Sequence, residues 1–182
     1  LNTPWADQNG QDNKANEEYI GGMTKNFGKR VVYEMNRLGI FLDISHVSAD
    51  VMRDALQWSL APVIFSHSNS RVVHAVSRNA PDDVLQLLKN NGGVIMVVSL
   101  PGFVGSGEYV DHNSSGSISS LTVKDLANHI DHINHTIGHQ FIGVGADFDV
   151  SSFNIGGVER GVIVQGGCCS QVVGTYVTNF LP

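Results

Sequence analysis

The most informative part of the sequence is a pair of short apolar runs that each end in Ser-His. They read IFLDISHVS at residues 40–48 and PVIFSHS at residues 62–68. Apolar runs of this length are typical of buried strands rather than of helices. The segment between them has a helix-capping residue, Ser48, followed by apolar side chains at helical spacing from Val51 to Leu56. The pair therefore predicts two strands joined by a helix, with a histidine at the end of each strand.

The alternation of strand and helix continues on both sides of this pair. A helix is predicted before it, from Phe27 to a stop at Gly39. The elements predicted after it are a helix starting at Pro81-Asp82-Asp83, a strand over 94–100, a Gly/Ser-rich loop over 101–120, a helix with apolar residues from Val123 to Ile137 and a strand over 141–148. Such alternation is typical of parallel βαβ units and predicts an α/β fold.

Four βα units fit two architectures. A full barrel has eight units in roughly 250 residues, so four units correspond to half a barrel, and the alternative is a small open doubly wound sheet. The sequence has no Gly-x-Gly-x-x-Gly turn and no phosphate loop, which argues against the nucleotide-binding version of the open sheet. Residues 158–182 break the alternation, and we predict no structure for them.

Composition excludes several classes of protein. The 182 residues are 42% hydrophobic and 15% charged, which suits one domain with a buried core. The formal net charge of −6 argues against nucleic-acid binding through phosphate contacts. No apolar run approaches the roughly 20 residues of a membrane-spanning helix. The two cysteines, Cys168 and Cys169, are adjacent and neither support nor exclude an oxidising compartment.

Polar side chains end three of the predicted strands, at His46, His67 and Asp147. Active sites of parallel α/β folds form at the carboxyl edge of the sheet. A single histidine at a strand end is usually a structural residue, but two on strands about 4.8 Å apart can reach one ion. This spacing favours a metal centre. We expect Asp43 to be a buried partner rather than a ligand, and Asp149 to be a turn-forming acid.

Two further features favour structural roles. Arg78 follows the second strand on a loop of the kind where most arginines are solvated. The long helix carries His129, His132 and His135, and His139 follows just after it. Helical spacing assigns the last three to the solvent face and His129 to its flank. An exposed histidine cluster lacks the cavity and supporting hydrogen bonds of a metal site, so we expect these residues to be structural or incidental.

Several short segments together resemble one known family. They are NTPWAD at 2–7, NRLG at 36–39, DISHVS at 43–48, APVIFSHS at 61–68, SRN at 77–79, PDDV at 81–84, HIDHI at 129–133 and GADFD at 145–149. In this order they resemble the membrane (renal-type) dipeptidases, which are zinc peptidases with a (β/α)8 barrel of the metal-dependent amidohydrolase kind. The resemblance covers residues 1–157. It implies a partial (β/α)8 TIM-type barrel of roughly four βα units, with 158–182 as a divergent tail.

The resemblance also implies a role for each candidate residue. In that family two zinc ions share a bridging carboxylate and a bridging hydroxide. His46 and His67 match the two histidines that hold the second zinc, and Arg78 matches the arginine that pairs with the terminal carboxylate of the substrate. Asp147 matches the aspartate that faces the scissile amide, a proton shuttle. The implied function is hydrolysis of dipeptides by a metal-bound hydroxide, while deamination or lactone opening suits the arginine less well.

Parts of the family pattern are missing from this sequence. The His-x-Asp pair for the first zinc, the bridging glutamate and the oxyanion-stabilising histidine all precede the matching segment in the family. Val150 replaces a family glycine, and the sequence departs from the family beyond Gly157. We therefore expect at most one partial zinc site here. The alternative function is an inactive truncated fragment or pseudoenzyme that retains half of the metal site.

The resemblance carries expectations about location and partners as well. The complete protein is expected at the cell surface or secreted, as a disulfide-bonded glycoprotein held to the membrane by a lipid (GPI) anchor. The resemblance also allows a homodimer. Asn113 and Asn134 begin glycosylation sequons. The sequence starts at Leu1 with no targeting signal, so we expect it to be an incomplete fragment. The expected partner is a dipeptide substrate, with no nucleic acid.

Overall fold

A parallel β-sheet lies at the centre of the fold. The computed structural model describes residues 5–8, 20–105 and 121–147. Within these residues the strands are β1 (Ile64–Phe65), β2 (Val94–Val97) and β3 (Ile142–Val144), in the order β1-β2-β3. Ile64 pairs with Val94, and Ile95 pairs with Ile142, both in parallel register. The predicted α/β class with a parallel sheet is confirmed.

The helices lie close to their predicted positions because their end signals are strong. In the described part of the chain they are α1 (Phe27–Leu38), α2 (Ala49–Trp58), α3 (Asp82–Asn91), α4 (Pro101–Val104) and α5 (Val123–Ile137), followed by a 3-10 turn, His139–Phe141. Gly39 ends α1 in the left-handed conformation with φ 70°. The Ser48 hydroxyl caps α2 by accepting a hydrogen bond from the Val51 backbone N–H at 3.2 Å.

The helices pack against one face of the sheet. Phe65, Ile95 and Val97 are buried and share one apolar core with residues of α2, α3 and α5. Along β2 these buried residues alternate with half-buried ones, so the opposite face of the sheet is less covered. Strands in consecutive order with right-handed crossovers leave their helices on the same side, and the neighbouring packing of α1 on α2, α2 on α3 and α3 on α5 agrees.

The prediction of a strand over 40–44 is wrong. This run forms a single parallel bridge, Asp43↔Ile64, with hydrogen bonds from Ile64 N–H to Leu42 O and from Ile44 N–H to Ile64 O. Two residues of the neighbouring run stop the ladder. Pro62 has no N–H to donate on one side. On the other side, the backbone N–H of Ser66 donates to the Asp43 carboxylate at 3.2 Å instead of to a strand carbonyl.

The other predicted strands are shorter than expected. The strand over 62–67 is reduced to β1, and that over 94–100 ends at Val97. The strand over 141–148 starts at Ile142 and ends at Val144, while residue 148 lies outside the described residues. The predicted loop over 101–120 begins with the short helix α4, and its remainder from 106 is not described. The same holds for Asp149, for Asn113 and for the predicted tail over 158–182.

Candidate functional site

The two histidines that end the first two apolar runs meet at one edge of the sheet. His46 Nε2 and His67 Nε2 are 2.8 Å apart, and the ring centroids are 4.8 Å apart. Asp147, three residues beyond β3, has its Oδ2 atom 3.8 Å from His67 Nε2. The three side chains predicted from the strand ends therefore form one cluster.

Two of the three residues have a backbone conformation that side chains other than glycine rarely adopt. His46 has φ 66° and Asp147 has φ 56°, and no other non-glycine residue in the described part of the chain has a positive φ. The left-handed region costs an L-residue about 1–2 kcal/mol. Such strain concentrates at functional sites, where the surrounding structure holds the residue in place. This backbone feature is an independent mark of the same site.

A chain of hydrogen bonds runs from Asp43 to the ring of His67. Asp43 Oδ1 accepts from the backbone N–H groups of Ser45 at 3.0 Å and of Ser66 at 3.2 Å. The Ser66 hydroxyl donates to Asp43 Oδ2 in a short hydrogen bond and also contacts His67 Nδ1 at 2.6 Å. Partial desolvation of the carboxyl raises the pKa of Asp43, but the hydrogen bonds from Ser66 and Ser45 outweigh this effect and hold the pKa below its ordinary value.

The position of Asp43 differs from the prediction, and Ser66 was not predicted at all. Asp43 is exposed rather than buried, although it is the expected hydrogen-bonding partner. Its side chain shares a sheet face with Ile64 through the bridge between them, and among the described residues that face is the less covered one. A hydroxyl next to a strand-end histidine was visible in the Ser-His pairs, but its direction of bonding could not be read from sequence.

Arg78 contacts the backbone of His67, one of the two histidines. It is 2% exposed, which contradicts the expectation of a solvated arginine. Its Nη1 donates to Ser68 Oγ and its Nη2 to His67 O, both at 2.6 Å, and the guanidinium carbon lies 5.2 Å from the ring centroid of Phe103. Within the described residues its Nε atom has no hydrogen-bond partner and no carboxylate forms an ion pair with it.

Burial and neighbouring charge shape the protonation of this cluster. Burial lowers the pKa of Arg78 to about 10, although the nearby Asp147 and Asp43 oppose the shift, so the guanidinium stays charged at neutral pH. Burial also lowers the pKa of His46, and the positive charge of Arg78 adds to the effect. The His46 imidazole is therefore neutral at pH 7, which is the form that binds metal ions.

The histidines of α5 have structural partners. His129 is fully buried, accepts the backbone N–H of Ser70 at Nδ1 over 3.1 Å and has its Nε2 atom 2.9 Å from Val104 O. The prediction that His129 lies at the flank of the solvent face is wrong, because it is three residues after Leu126 and four before Ile133 and so lies on their buried face.

The other two predicted surface histidines of α5 are partly or largely exposed. His132 Nε2 lies 2.9 Å from Asp82 Oδ1 at the start of α3. The side chain of His135 is 74% exposed and contacts Asp131 one turn earlier in the same helix. Both contacts are polar contacts at the surface of a helix, as expected for structural or incidental residues.

The cluster at the sheet edge contains side chains of the types that bind zinc in proteins. Zinc sites use three or four nitrogen, sulfur or oxygen ligands. Across the ranges that the structure describes, no three His, Cys, Asp or Glu side chains are gathered closely enough to hold a metal ion. His46 and His67 bring two imidazole nitrogens to within 2.8 Å of each other, so in the described part of the chain they make up at most part of such a set.

No helix within residues 5–8, 20–105 and 121–147 has the length and apolar character needed to cross a membrane.

Comparison with known proteins relates the chain to one family of hydrolases. Residues 1–162 match the family described as membrane dipeptidase (peptidase family M19). The chain is 43% identical over 148 residues to Dipeptidase 3 of Macaca fascicularis, an alignment that includes 81% of this chain and 28% of the relative. It therefore spans less than a third of the length of that protein.

Two solved structures share the fold. The probable dipeptidase PvdM from Pseudomonas aeruginosa aligns with a TM-score of 0.70 and 22% identity, covering 100% of this chain and 56% of that one. A metallo peptidase from Rhodobacter sphaeroides, liganded with a phosphinate mimic of the dipeptide L-Ala-D-Ala, aligns with a TM-score of 0.65 and 24% identity, covering 88% of this chain and 42% of that one.

Proposed function

The chain belongs to the membrane dipeptidase family, and from this premise we propose that it carries half of the active site of a zinc-dependent dipeptidase. The observation that carries the proposal is the convergence of His46 Nε2 and His67 Nε2, 2.8 Å apart at the end of neighbouring sheet segments. The reaction is hydrolysis of the single peptide bond of a dipeptide. The strain at His46 and Asp147 supports the same location.

We also propose that the sheet is part of a (β/α)8 barrel over residues 1–157. The consecutive strand order and the single layer of helices support a barrel, because an open doubly wound sheet reverses its strand order and carries helices on both faces. The uncovered sheet face, which includes Asp43 and Ile64, then belongs to the barrel interior. Residues 158–182 remain a separate tail in this proposal.

His46 and His67 are the residues that would hold the zinc ion. When bound, zinc supplies a Lewis acid that polarises a carbonyl and acidifies water. Both imidazoles contribute Nε2, and in His67 the opposite nitrogen, Nδ1, is already occupied by Ser66. The hydrogen bond at Nδ1 fixes the orientation of the ring, as is common for histidine ligands.

Arg78 would bind the terminal carboxylate of the dipeptide. A buried guanidinium without a carboxylate partner is unfavourable, so an anionic substrate group gains more from pairing here than at an exposed arginine. Among the described residues its buried Nε–H has no hydrogen-bond partner, so the guanidinium keeps one donor uncommitted. The two hydrogen bonds to Ser68 and His67 hold the guanidinium in place against the metal-binding edge.

Asp147 would act on the amino side of the scissile bond. Its carboxylate is exposed at the sheet edge and lies 3.8 Å from His67 Nε2, within reach of a group bound between the histidines and Arg78. A carboxylate there can hold the free amino group of the substrate, or take the proton released by the attacking water and pass it to the leaving amine. The left-handed backbone of Asp147 fixes this position.

Location and assembly remain part of the proposal. The family description supports association with a membrane surface, and a lipid anchor would provide it in the complete protein. A homodimer and glycosylation at Asn134, which lies exposed on α5, are further expectations.

Zinc binding tests the proposal directly. Equilibrium dialysis of the purified chain against zinc should give one site, and His46→Ala or His67→Ala should each weaken zinc binding at least about tenfold. His135→Ala is the matched control, because that side chain is 74% exposed on α5. Zinc binding that is equal in all variants would remove the ligand assignment.

Substrate binding and turnover are measured separately. Arg78→Lys should weaken binding of a dipeptide phosphinate mimic while zinc binding is retained, because lysine keeps the charge but loses the planar fork. Equal loss of both would indicate a folding role for Arg78. Hydrolysis of a dipeptide by the zinc-loaded chain would rule out the alternative function, a non-catalytic chain that retains half of the metal site.

A further inference from the structure

We propose that Asp43 and Ser66 are positioning residues that fix the proton of the His67 ring on Nδ1 and so leave Nε2 free for a metal ion. The inference rests on the proposed function for its use of zinc, but the protonation pattern itself belongs to this chain without metal. It follows from which atoms can donate in the chain of contacts from Asp43 through Ser66 to His67.

The first step is the direction of the hydrogen bond between Ser66 and Asp43. Two oxygens at this short distance need a hydrogen between them. A carboxylate at neutral pH has no hydrogen and only accepts, so the single hydroxyl hydrogen of Ser66 must point to Asp43 Oδ2. Ser66 therefore has no hydrogen left for another partner.

The second step is the contact between Ser66 and His67. Ser66 Oγ lies 2.6 Å from His67 Nδ1, and this contact also needs one hydrogen. Because the hydroxyl hydrogen is already committed to Asp43, the hydrogen must be on Nδ1. In a neutral imidazole the other nitrogen, Nε2, then carries only a lone pair.

The third step explains why the direction does not reverse. Asp43 Oδ1 accepts two backbone N–H groups, from Ser45 and Ser66, so the carboxylate orientation is fixed and Oδ2 faces the Ser66 hydroxyl. The contact of 2.8 Å between the two Nε2 atoms also needs one hydrogen. With His67 Nε2 unprotonated, that hydrogen is on His46 Nε2 in the zinc-free chain, and it would have to leave this nitrogen for both atoms to bind one ion.

Asp43→Asn should reverse the whole chain of hydrogen bonds. The two backbone N–H groups will hold the amide oxygen at the Oδ1 position, so the amide NH2 group takes the Oδ2 position and donates to Ser66 Oγ. The Ser66 hydroxyl is then free to donate to His67 Nδ1. The proton of His67 should consequently move to Nε2, the atom that the metal requires.

The experiment is 15N NMR of the imidazole rings in the zinc-free full chain, with the His67 signals assigned by comparison with His67→Ala. We expect His67 to carry its proton on Nδ1 in the original chain and on Nε2 in Asp43→Asn. Zinc affinity, measured by dialysis, should fall about 10- to 100-fold in Asp43→Asn. Asp131→Asn on the exposed surface of α5 is the matched control and should change neither quantity.

Variants of Ser66 separate positioning from simple structural support. Ser66→Thr keeps the hydroxyl and should retain the Nδ1 proton, whereas Ser66→Ala removes the acceptor and should shift the proton of His67 toward Nε2. These variants also provide the readout if Asp43→Asn does not fold. A proton on Nε2 in the original chain, or on Nδ1 in the folded Asp43→Asn or Ser66→Ala chain, would overturn the inference. If the tautomer changes as expected but no variant binds zinc, the proposed function fails and the proton assignment stands.

Discussion

His46 and Asp147 have a backbone conformation that destabilises the folded state. Each is a non-glycine residue with positive φ, at 66° and 56°, and each belongs to the candidate site. A residue chosen for folding alone would be glycine or asparagine at such a position. The backbone conformation at 46 and 147 is therefore more strained with His and Asp than it would be with glycine.

This strain can be measured by comparing two substitutions at one position. His46→Ala and His46→Gly both remove the imidazole, but only glycine relieves the left-handed strain. We expect the free energy of unfolding of His46→Gly to exceed that of His46→Ala by about 1 kcal/mol, measured by urea denaturation. The same pair at His135 in α5 should give the opposite sign, because glycine weakens a helix by up to about 1 kcal/mol relative to alanine.

Equal stability of the two His46 variants would contradict the strain. Such a result would mean that the backbone at position 46 relaxes without the ring, and that the left-handed conformation follows from the histidine contacts instead of from the chain path.

At the level of elements, helix α5 is tied to the sheet edge by one buried side chain. His129 accepts the backbone N–H of Ser70 and, through Nε2, reaches Val104 O, so it joins α5 to the loop after β1 and to α4. Burial lowers the pKa of His129, although the hydrogen bond to Val104 opposes the shift. The neutral ring is therefore part of the folded structure.

The stability supplied by neutral His129 should depend on pH. Because its folded-state pKa lies below the unfolded value of about 6.5, the unfolded chain binds more protons between the two values. The contribution of neutral His129 to the free energy of unfolding is then fully present above about pH 6.5 and decreases as the pH falls toward the folded-state pKa. Urea unfolding at pH 7.5 and 5.5 should show that the free energy of unfolding falls less on acidification in His129→Gln than in the original chain.

His135→Gln is the control for this measurement, since the side chain of His135 is largely exposed. It should keep the pH dependence of the original chain. If His129→Gln and His135→Gln lose stability equally on acidification, His129 is not the group responsible.

The elements also explain what could be predicted from sequence. Helix ends were predictable because Ser48 and Gly39 begin or end a helix through contacts with residues close to them in sequence. Strand ends were not, because the ladder beside β1 stops where Pro62 lacks a donor and where Asp43 takes the N–H of Ser66. Both effects need the register between two runs, which sequence does not supply.

Some features of the candidate site were predictable from sequence and others were not. His46, His67 and Asp147 were predictable as strand-end residues, since parallel strands bring their carboxyl ends to one edge. The burial of Arg78 was not, because it depends on Phe103 and Ser68, which come from other parts of the fold.

At the level of the whole molecule, the described sheet has an apolar edge. Residues 40–44 pair in the described part of the chain with β1, on one side, through one bridge. Phe41 in this run is 71% exposed, and Ile40 beside it is also exposed. An open edge with exposed apolar side chains favours pairing with another chain.

Phe41→Lys should reduce self-association of the chain. Charged side chains on a sheet edge hinder pairing with a neighbour. Sedimentation velocity over a range of concentrations should show association in the original chain and less association in Phe41→Lys. Val72→Lys, which replaces an equally apolar and 62% exposed side chain on a loop, should behave like the original chain. Equal association of all three would place the contact surface elsewhere.

The hydrogen bond from the Ser66 N–H to the Asp43 carboxylate affects how the spacing of the two histidines is maintained. A continuous ladder would make the ends of the two runs one stiff body, and the distance between His46 and His67 would be fixed by backbone hydrogen bonds. Here the Asp43 carboxylate makes that connection by accepting the backbone N–H of Ser66. The spacing of the two histidines is therefore set by a side-chain acceptor as well as by the backbone, so a substitution at position 43 reaches this spacing without altering either histidine.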